Sequence, residues 1–152
     1  MERLKIIFGL SPPNRDLPFV ELDSLFTHIL SSVEDVGLVL EVLSSLLTVL
    51  GVATCSHIEE FLSYNQGEVR LILIYLHSII RVPENDSDEI RILHASFRDY
   101  LLDRSRSGLF FIDLPEAYAK LSVRYIDHIN SHGGTFSLVF LIWNGLIKIS
   151  HR

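Results

Sequence analysis

The residues best placed to do chemistry lie in RILHASFRDYLL, over 91–102. An apolar strand end runs there directly into a helical pattern, and His94 stands at the join. Backbone N–H groups are free at a helix start and the helix dipole is positive there. An imidazole at that join is therefore placed to face a phosphate. The commoner arrangement for such a histidine is a hydrogen bond to its own neighbours. Phe97 and Leu101 are four apart with Tyr100 beside them, which puts all three on one buried stripe. Arg98, Asp99 and Asp103 fall mostly outside it.

Other candidates carry less. His128 and His132 are four apart, a spacing that aligns two imidazoles on a helix, but no third ligand pattern accompanies them. Gly133 and Gly134 follow at once, so solvated histidines near a helix end are expected and a metal site is not. Cys55 has only His57 near it in sequence and Gly-x-Ser-x-Gly is absent, so nothing points to a nucleophilic triad. Arg104 and Arg106 stand among serines, where a solvated basic loop is commoner than an anion site. None of the eight glycines is followed by lysine, and no apolar strand ends in paired acids for magnesium. No enzymatic activity, catalytic residue or cofactor is expected of this chain on its own.

Composition narrows the class further. A length of 152 residues suits one domain, or one domain with part of a neighbour. An apolar fraction of 48% and a mean hydropathy of +0.32 are high for a free-standing domain, and point to apolar surface meant for a partner. The net charge of −6 argues against general nucleic-acid binding. One cysteine rules out an internal disulfide and fits a reducing compartment. Residues 1–10 lack the long apolar stretch of a secretory signal. The apolar run 136–149 is interrupted by Asn144, Gly145 and Lys148, short of the roughly 18 to 20 residues a membrane span needs. A cytoplasmic protein with no membrane span is expected.

The pattern predicts how the candidates are positioned. Residues 11–18, with Pro12, Pro13 and Pro18, read as an extended linker. Helices are expected over 22–33, over 36–50 as the central core element, and over 56–64 from a capping box of Ser56 and Glu59. The third helix of the group that begins at 36 follows over 68–80, with Val69, Ile72, Leu73, Leu76, Ile79 and Ile80 inward. Residues 79–82 read equally well as the end of that helix or as the first strand of a hairpin, with a polar turn and a return strand at 90–93, and the helix from His94 comes next. Residues 104–108 read as a loop, 109–112 as a short strand, and 113–130 as a helix capped by Asp113.

Three helices followed by a two-stranded wing is the pattern of a winged helix, a helix-turn-helix variant. The expected fold is thus mainly α with a small β-hairpin wing, flanked by helical segments. A DNA-reading role fits poorly. The recognition-helix position offers Arg70 as its one firm cation, and the wing carries Glu84, Asp86, Asp88 and Glu89, which repel phosphates.

The segment order resembles the region that follows the NTPase module in fungal NACHT-domain proteins, members of the STAND class of signalling NTPases. The matching stretches are LDSLFTHIL over 22–30, IEEFL over 58–62, GEV over 67–69 and LHS over 76–78. They continue in RILHASFRDYLLD over 91–103, SRSG over 105–108 and FIDLPEA over 111–117. The resemblance implies a helical segment and a winged helix packed on an NTPase module, with His94 in the position that contacts the β-phosphate of ADP in the off state. Phe97, Tyr100 and Leu101 form the interface or core of that motif. Exchange of ADP for ATP would release one module from the other. The sequence has no NTPase module of its own, so the implied partner is a NACHT-type NTPase module in cis or in trans, with ADP or ATP as that module's ligand.

The expected organisation is an N-terminal segment and linker over 1–20, the helical and winged-helix unit over 21–108, the start of a further helical segment over 109–132, and a divergent apolar tail over 133–152. Two other readings stay open: a stand-alone winged-helix nucleic-acid binder, and a truncated relic without function.

Overall fold

Helix α1, Val20–Ser31, opens the part of the chain that the computed structural model describes, residues 19–48 and 53–132, with positions 125 and 128–132 described by backbone alone. The expected linker over 11–18, the rest of the N-terminal segment and the tail over 133–152 lie outside the described residues.

α1 buries Phe26 and Leu30 and ends at Ser32, whose N–H and hydroxyl both bond back to the Ile29 carbonyl. Asp35 starts α2, Val36–Thr48, by accepting from the Leu38 N–H at 3.0 Å. Val39, Val42 and Leu43 of α2 are fully buried, while Leu38 on its other side is exposed.

α3, Cys55–Leu62, begins earlier than its capping signal suggests. Thr54 is the cap, accepting from the His57 N–H at 3.1 Å, and Ser56 instead bonds to the Asp86 carbonyl. Glu59, the other half of the expected box, turns forward. Its carboxylate accepts from the Gly67 N–H at 2.9 Å and the Val69 N–H at 3.2 Å. It thereby holds the start of α4, Glu68–Ile72. The chain reverses between α3 and α4 through Ser63 and Gly67, both at positive φ. Gly67 suits that conformation because it has no Cβ.

The expected helix over 68–80 is much shorter. α4 stops at Ile72, and a 3-10 turn, Ile74–Leu76, follows. Leu76 N–H bonds to the Leu73 carbonyl and Ile79 N–H to the Leu76 carbonyl, both at 2.9 Å. Residues three apart eclipse one another in that geometry, so Leu73, Leu76 and Ile79 all point inward. Leu71, Ile74 and Tyr75 are left outside.

Strands β1, Ile80–Arg81, and β2, Arg91–Ile92, pair antiparallel with Ile80 opposite Ile92 and Arg81 opposite Arg91. The isoleucines face the core and the arginines face solvent. An isolated antiparallel bridge joins Thr54 to Glu89, and the Ile90 N–H bonds to the Ala53 carbonyl at 2.8 Å. The returning strand is thus held on both sides. The described residues are mainly helical, with this one two-stranded antiparallel sheet.

α5, Ala95–Leu102, leads into α6, Arg104–Ser107, where a polar loop was expected. Asp103 caps α6 through the Ser105 N–H at 2.9 Å, and the Ser105 hydroxyl holds its carboxyl below the usual carboxylate range. The strand expected over 109–112 is absent. Gly108–Phe110 is a 3-10 turn that closes on α6, and the Ile112 N–H bonds to the Leu101 carbonyl at 2.8 Å. Asp113 accepts from the Glu116 N–H at 3.2 Å at the start of α7, Leu114–His132, as its spacing predicts. Among the described residues, no helix is long and apolar enough to cross a membrane.

Candidate functional site

Five residues carry the join at His94: Leu93, His94 and Arg98 at the surface, with Phe97 and Tyr100 beneath. The Leu93 N–H bonds to the Ile79 carbonyl at 2.9 Å, which ties the end of β2 to the sheet. His94 is the N-terminal cap residue of α5, with an extended backbone at φ −121° and ψ 114°. Its carbonyl accepts from the Phe97 N–H at 3.0 Å, but its imidazole makes no capping bond and the residue is exposed. The Ala95 and Ser96 N–H groups, ahead of Phe97 in the first turn, have no acceptor within the helix. The side chain and the dipole of α5 therefore face the same solvent.

The mount beneath is rigid. Phe97, Tyr100 and Leu101 are each 0% exposed, so they form the core of the motif and none of them is free to touch a partner. The Phe26 ring meets Phe97 edge-on at 5.0 Å and Tyr100 at 5.5 Å, and Phe97 stacks on Tyr100 at 6.3 Å. Such pairs contribute about 0.5–1.5 kcal/mol each beyond the area they bury. Burial pushes the Tyr100 phenol up, and its hydroxyl shares a hydrogen bond with Thr27 at 2.8 Å.

An open groove of about 690 Å³ adjoins the join, lined by its chain neighbours Leu93 and Ala95 and by Glu89 and Arg98, but not by His94 itself. Leu46, Leu47 and Leu93 give it an apolar floor, and Arg91 and Arg98 stand at its edge. The Arg91 Nε donates to Glu89 at 2.8 Å, which leaves Arg98 as the exposed cation nearest to His94 along α5. The arrangement suits an anion held at the helix start with an apolar surface packed against the leucines. It contains no nucleophile–base pair. Among the described residues no group of three or more His, Cys, Asp or Glu could hold a metal ion. α7 does run through His128 and His132, whose side chains lie outside the described ones.

The remaining sequence candidates have structural employment. Arg106 forms a two-toothed pair with Asp23, at 3.0 Å through Nε and 2.7 Å through Nη2, and locks α6 onto α1. That hydrogen bonding holds its guanidinium more firmly protonated than usual. Arg104 lies over the Phe111 ring at 4.8 Å. Cys55 is fully buried, with its thiol pushed up by burial. Arg70 is drawn back to Asp86 at 2.6 Å and the Glu84 carbonyl at 3.0 Å, which ties the polar turn to α4.

The contacts of three polar residues were not legible in the sequence. Besides Glu59 and Thr27, Glu41 on α2 accepts from the Tyr64 hydroxyl and pairs with Arg124 of α7 at 2.9 Å. Pattern-reading assigns carboxylates to the surface, and Glu59 is 5% exposed. Its only signal is the position nine residues before the helix start it serves. Compared with known proteins, the chain matches no family model, no curated protein and no solved structure.

Proposed function

We propose that this chain is a non-catalytic regulatory winged-helix region of the NACHT/STAND type, which works by contact with an NTPase module in its ADP-bound off state. The observation that carries the reading is the presentation of His94. The residue that the resemblance assigns to the ADP phosphate is exposed at the start of α5, its imidazole is not used for capping, and it stands on a fully buried aromatic mount. The order of elements supports it as well. From 36 on, helix, short bridge, helix, turn, short helix with a 3-10 turn, and antiparallel hairpin follow one another, an order compatible with that reading. The leucines of the adjoining groove supply apolar area for the module surface, and Arg98 supplies a cation toward the nucleotide.

A nucleic-acid role has less behind it. The segment that would read bases presents Leu71, Ile74 and Tyr75, and its arginine is spent on Asp86.

The test is calorimetric titration of the full chain with a NACHT-type NTPase module loaded with ADP or with a non-hydrolysable ATP analogue. Tighter binding to the ADP form is expected. His94→Ala should weaken that binding about tenfold or more while leaving thermal unfolding unchanged. Equal affinity for the two nucleotide states, or for mutant and wild type, refutes the reading.

A further inference from the structure

The face formed by the start of α2, by α4 and by the 3-10 turn after it carries apolar surface that the His94 site does not use. Leu71, Ile74 and Tyr75 are 66%, 55% and 54% exposed, and Leu38 is 39% exposed. Leu38, Leu71 and Tyr75 line one groove of about 220 Å³, with Val33 at its end. Exposed apolar residues that gather in one groove with a polar rim mark an interaction site rather than ordinary scatter.

The rim has one sign. Glu34 and Asp35 line the groove, and none of the described residues lining it is a cation. Glu68 stands three residues before Leu71, on the neighbouring position of the same helix face. Asp35 uses one oxygen to cap α2, and Glu68 accepts from Asn65, which holds its carboxyl below the usual carboxylate range. No ion pair of Glu34 is seen among the described residues. Arg70, the cation of α4, is tethered to the polar turn by Asp86.

We propose that this face docks a cationic amphipathic helix of a partner protein. Its apolar stripe would lie on Leu38, Leu71 and Tyr75, with Lys or Arg residues against Glu34, Asp35 and Glu68. The groove runs between two helical elements and borders no strand edge, which selects a helix over an added strand. The same carboxylates repel a nucleic-acid backbone. The inference is independent of the NTPase reading. The two grooves share no residue, and Leu38 and Leu46 lie about 12 Å apart along α2.

The experiment is a fluorescence-anisotropy titration of the full chain with two labelled synthetic helical peptides. Both carry the same leucine stripe; one has lysines on its polar face and the other glutamates. The lysine peptide should bind, more weakly as salt rises, and the glutamate peptide about tenfold less tightly or worse. Leu71→Asp and Glu34→Lys should each weaken the lysine peptide about tenfold, with unfolding curves unchanged because both positions are exposed. Failure of the lysine peptide to bind, equal binding of the two peptides, or wild-type affinity in both variants overturns the proposal. So does a concentration-dependent dimer that Leu71→Asp abolishes, since a second copy would then own the groove.

Discussion

The strand-to-helix join at His94 and the helix-to-strand join after Ile72 are opposite events in the same chain, and they obey different rules. At the first, helix and strand meet with no intervening turn, and the buried positions Phe97, Tyr100 and Leu101 follow an α-helical spacing. At the second, the chain tightens into 3-10 geometry, and the buried positions Leu73, Leu76 and Ile79 recur every three residues. The first join presents a polar side chain on a packed base. The second turns out a row of apolar side chains. The surface at the first join is therefore led by a polar side chain, and that at the second by apolar ones.

The sharpest way to break this comparison is to remove the base of the first join. Phe97→Ala should cost about 3–5 kcal/mol, since it empties a fully buried ring site between Phe26 and Tyr100. Leu71→Ala on the second join should stay within about 0.5 kcal/mol, because that side chain already faces water. Urea unfolding of the two variants checks the pair. Similar losses would mean that α4 is packed as a full-length helix would be.

Glu59→Ala comes next, at about 2–3 kcal/mol. It leaves the Gly67 and Val69 N–H groups without their acceptor at the start of a five-residue helix. Hydrogen exchange should show the amides of 67–72 opening before those of α5. If α5 loses protection equally, the two joins are one cooperative unit and the distinction between them fails. Tyr100→Phe is a smaller change, about 1 kcal/mol, for the lost bond to Thr27, with the ring packing kept. A loss near that of Phe97→Ala would show that the hydroxyl, not the ring, holds α5 on α1.

How far the sequence reached follows from the same contrast. Phe97, Tyr100 and Leu101 fit a helical period and little else, so the core of α5 was readable directly. Val69, Ile72, Leu73, Leu76, Ile79 and Ile80 fit periods of three and of 3.6 alike, so nothing in the pattern showed where α4 would stop. The capping box at Ser56 and Glu59 failed for a related reason. Thr54 competes two residues earlier, and only the fold decides that Glu59 meets Gly67 and Val69. Arg104 and Arg106 read as a basic loop because their partners, Phe111 and Asp23, include one 83 residues away. Local chemistry placed His94. The acidic rim of the second groove needed Glu34 and Leu71 brought together across more than thirty positions of sequence, which no local signal encodes.

The last effect is a matter of pH, and it lies at the start of α3. The Cys55 thiol is raised first by burial and further by Asp86 and Glu59, with Arg70 opposing. A free thiol ionises near about pH 8.5, so the unfolded chain loses this proton first while the folded chain keeps it. Stability is therefore unaffected below that pH and falls as pH rises toward the folded-state value, by up to about 1.4 kcal/mol per pH unit. Cys55→Ala removes this slope. Tyr64, Tyr100 and Tyr118 are also raised by burial, so the variant should keep a second decline that begins only near about pH 10. Urea midpoints at pH 7.5, 9 and 10.5 distinguish the two onsets. A wild type as stable at pH 9 as at pH 7.5 would mean that the thiol ionises alike in both states, and that the packing around the start of α3 admits water.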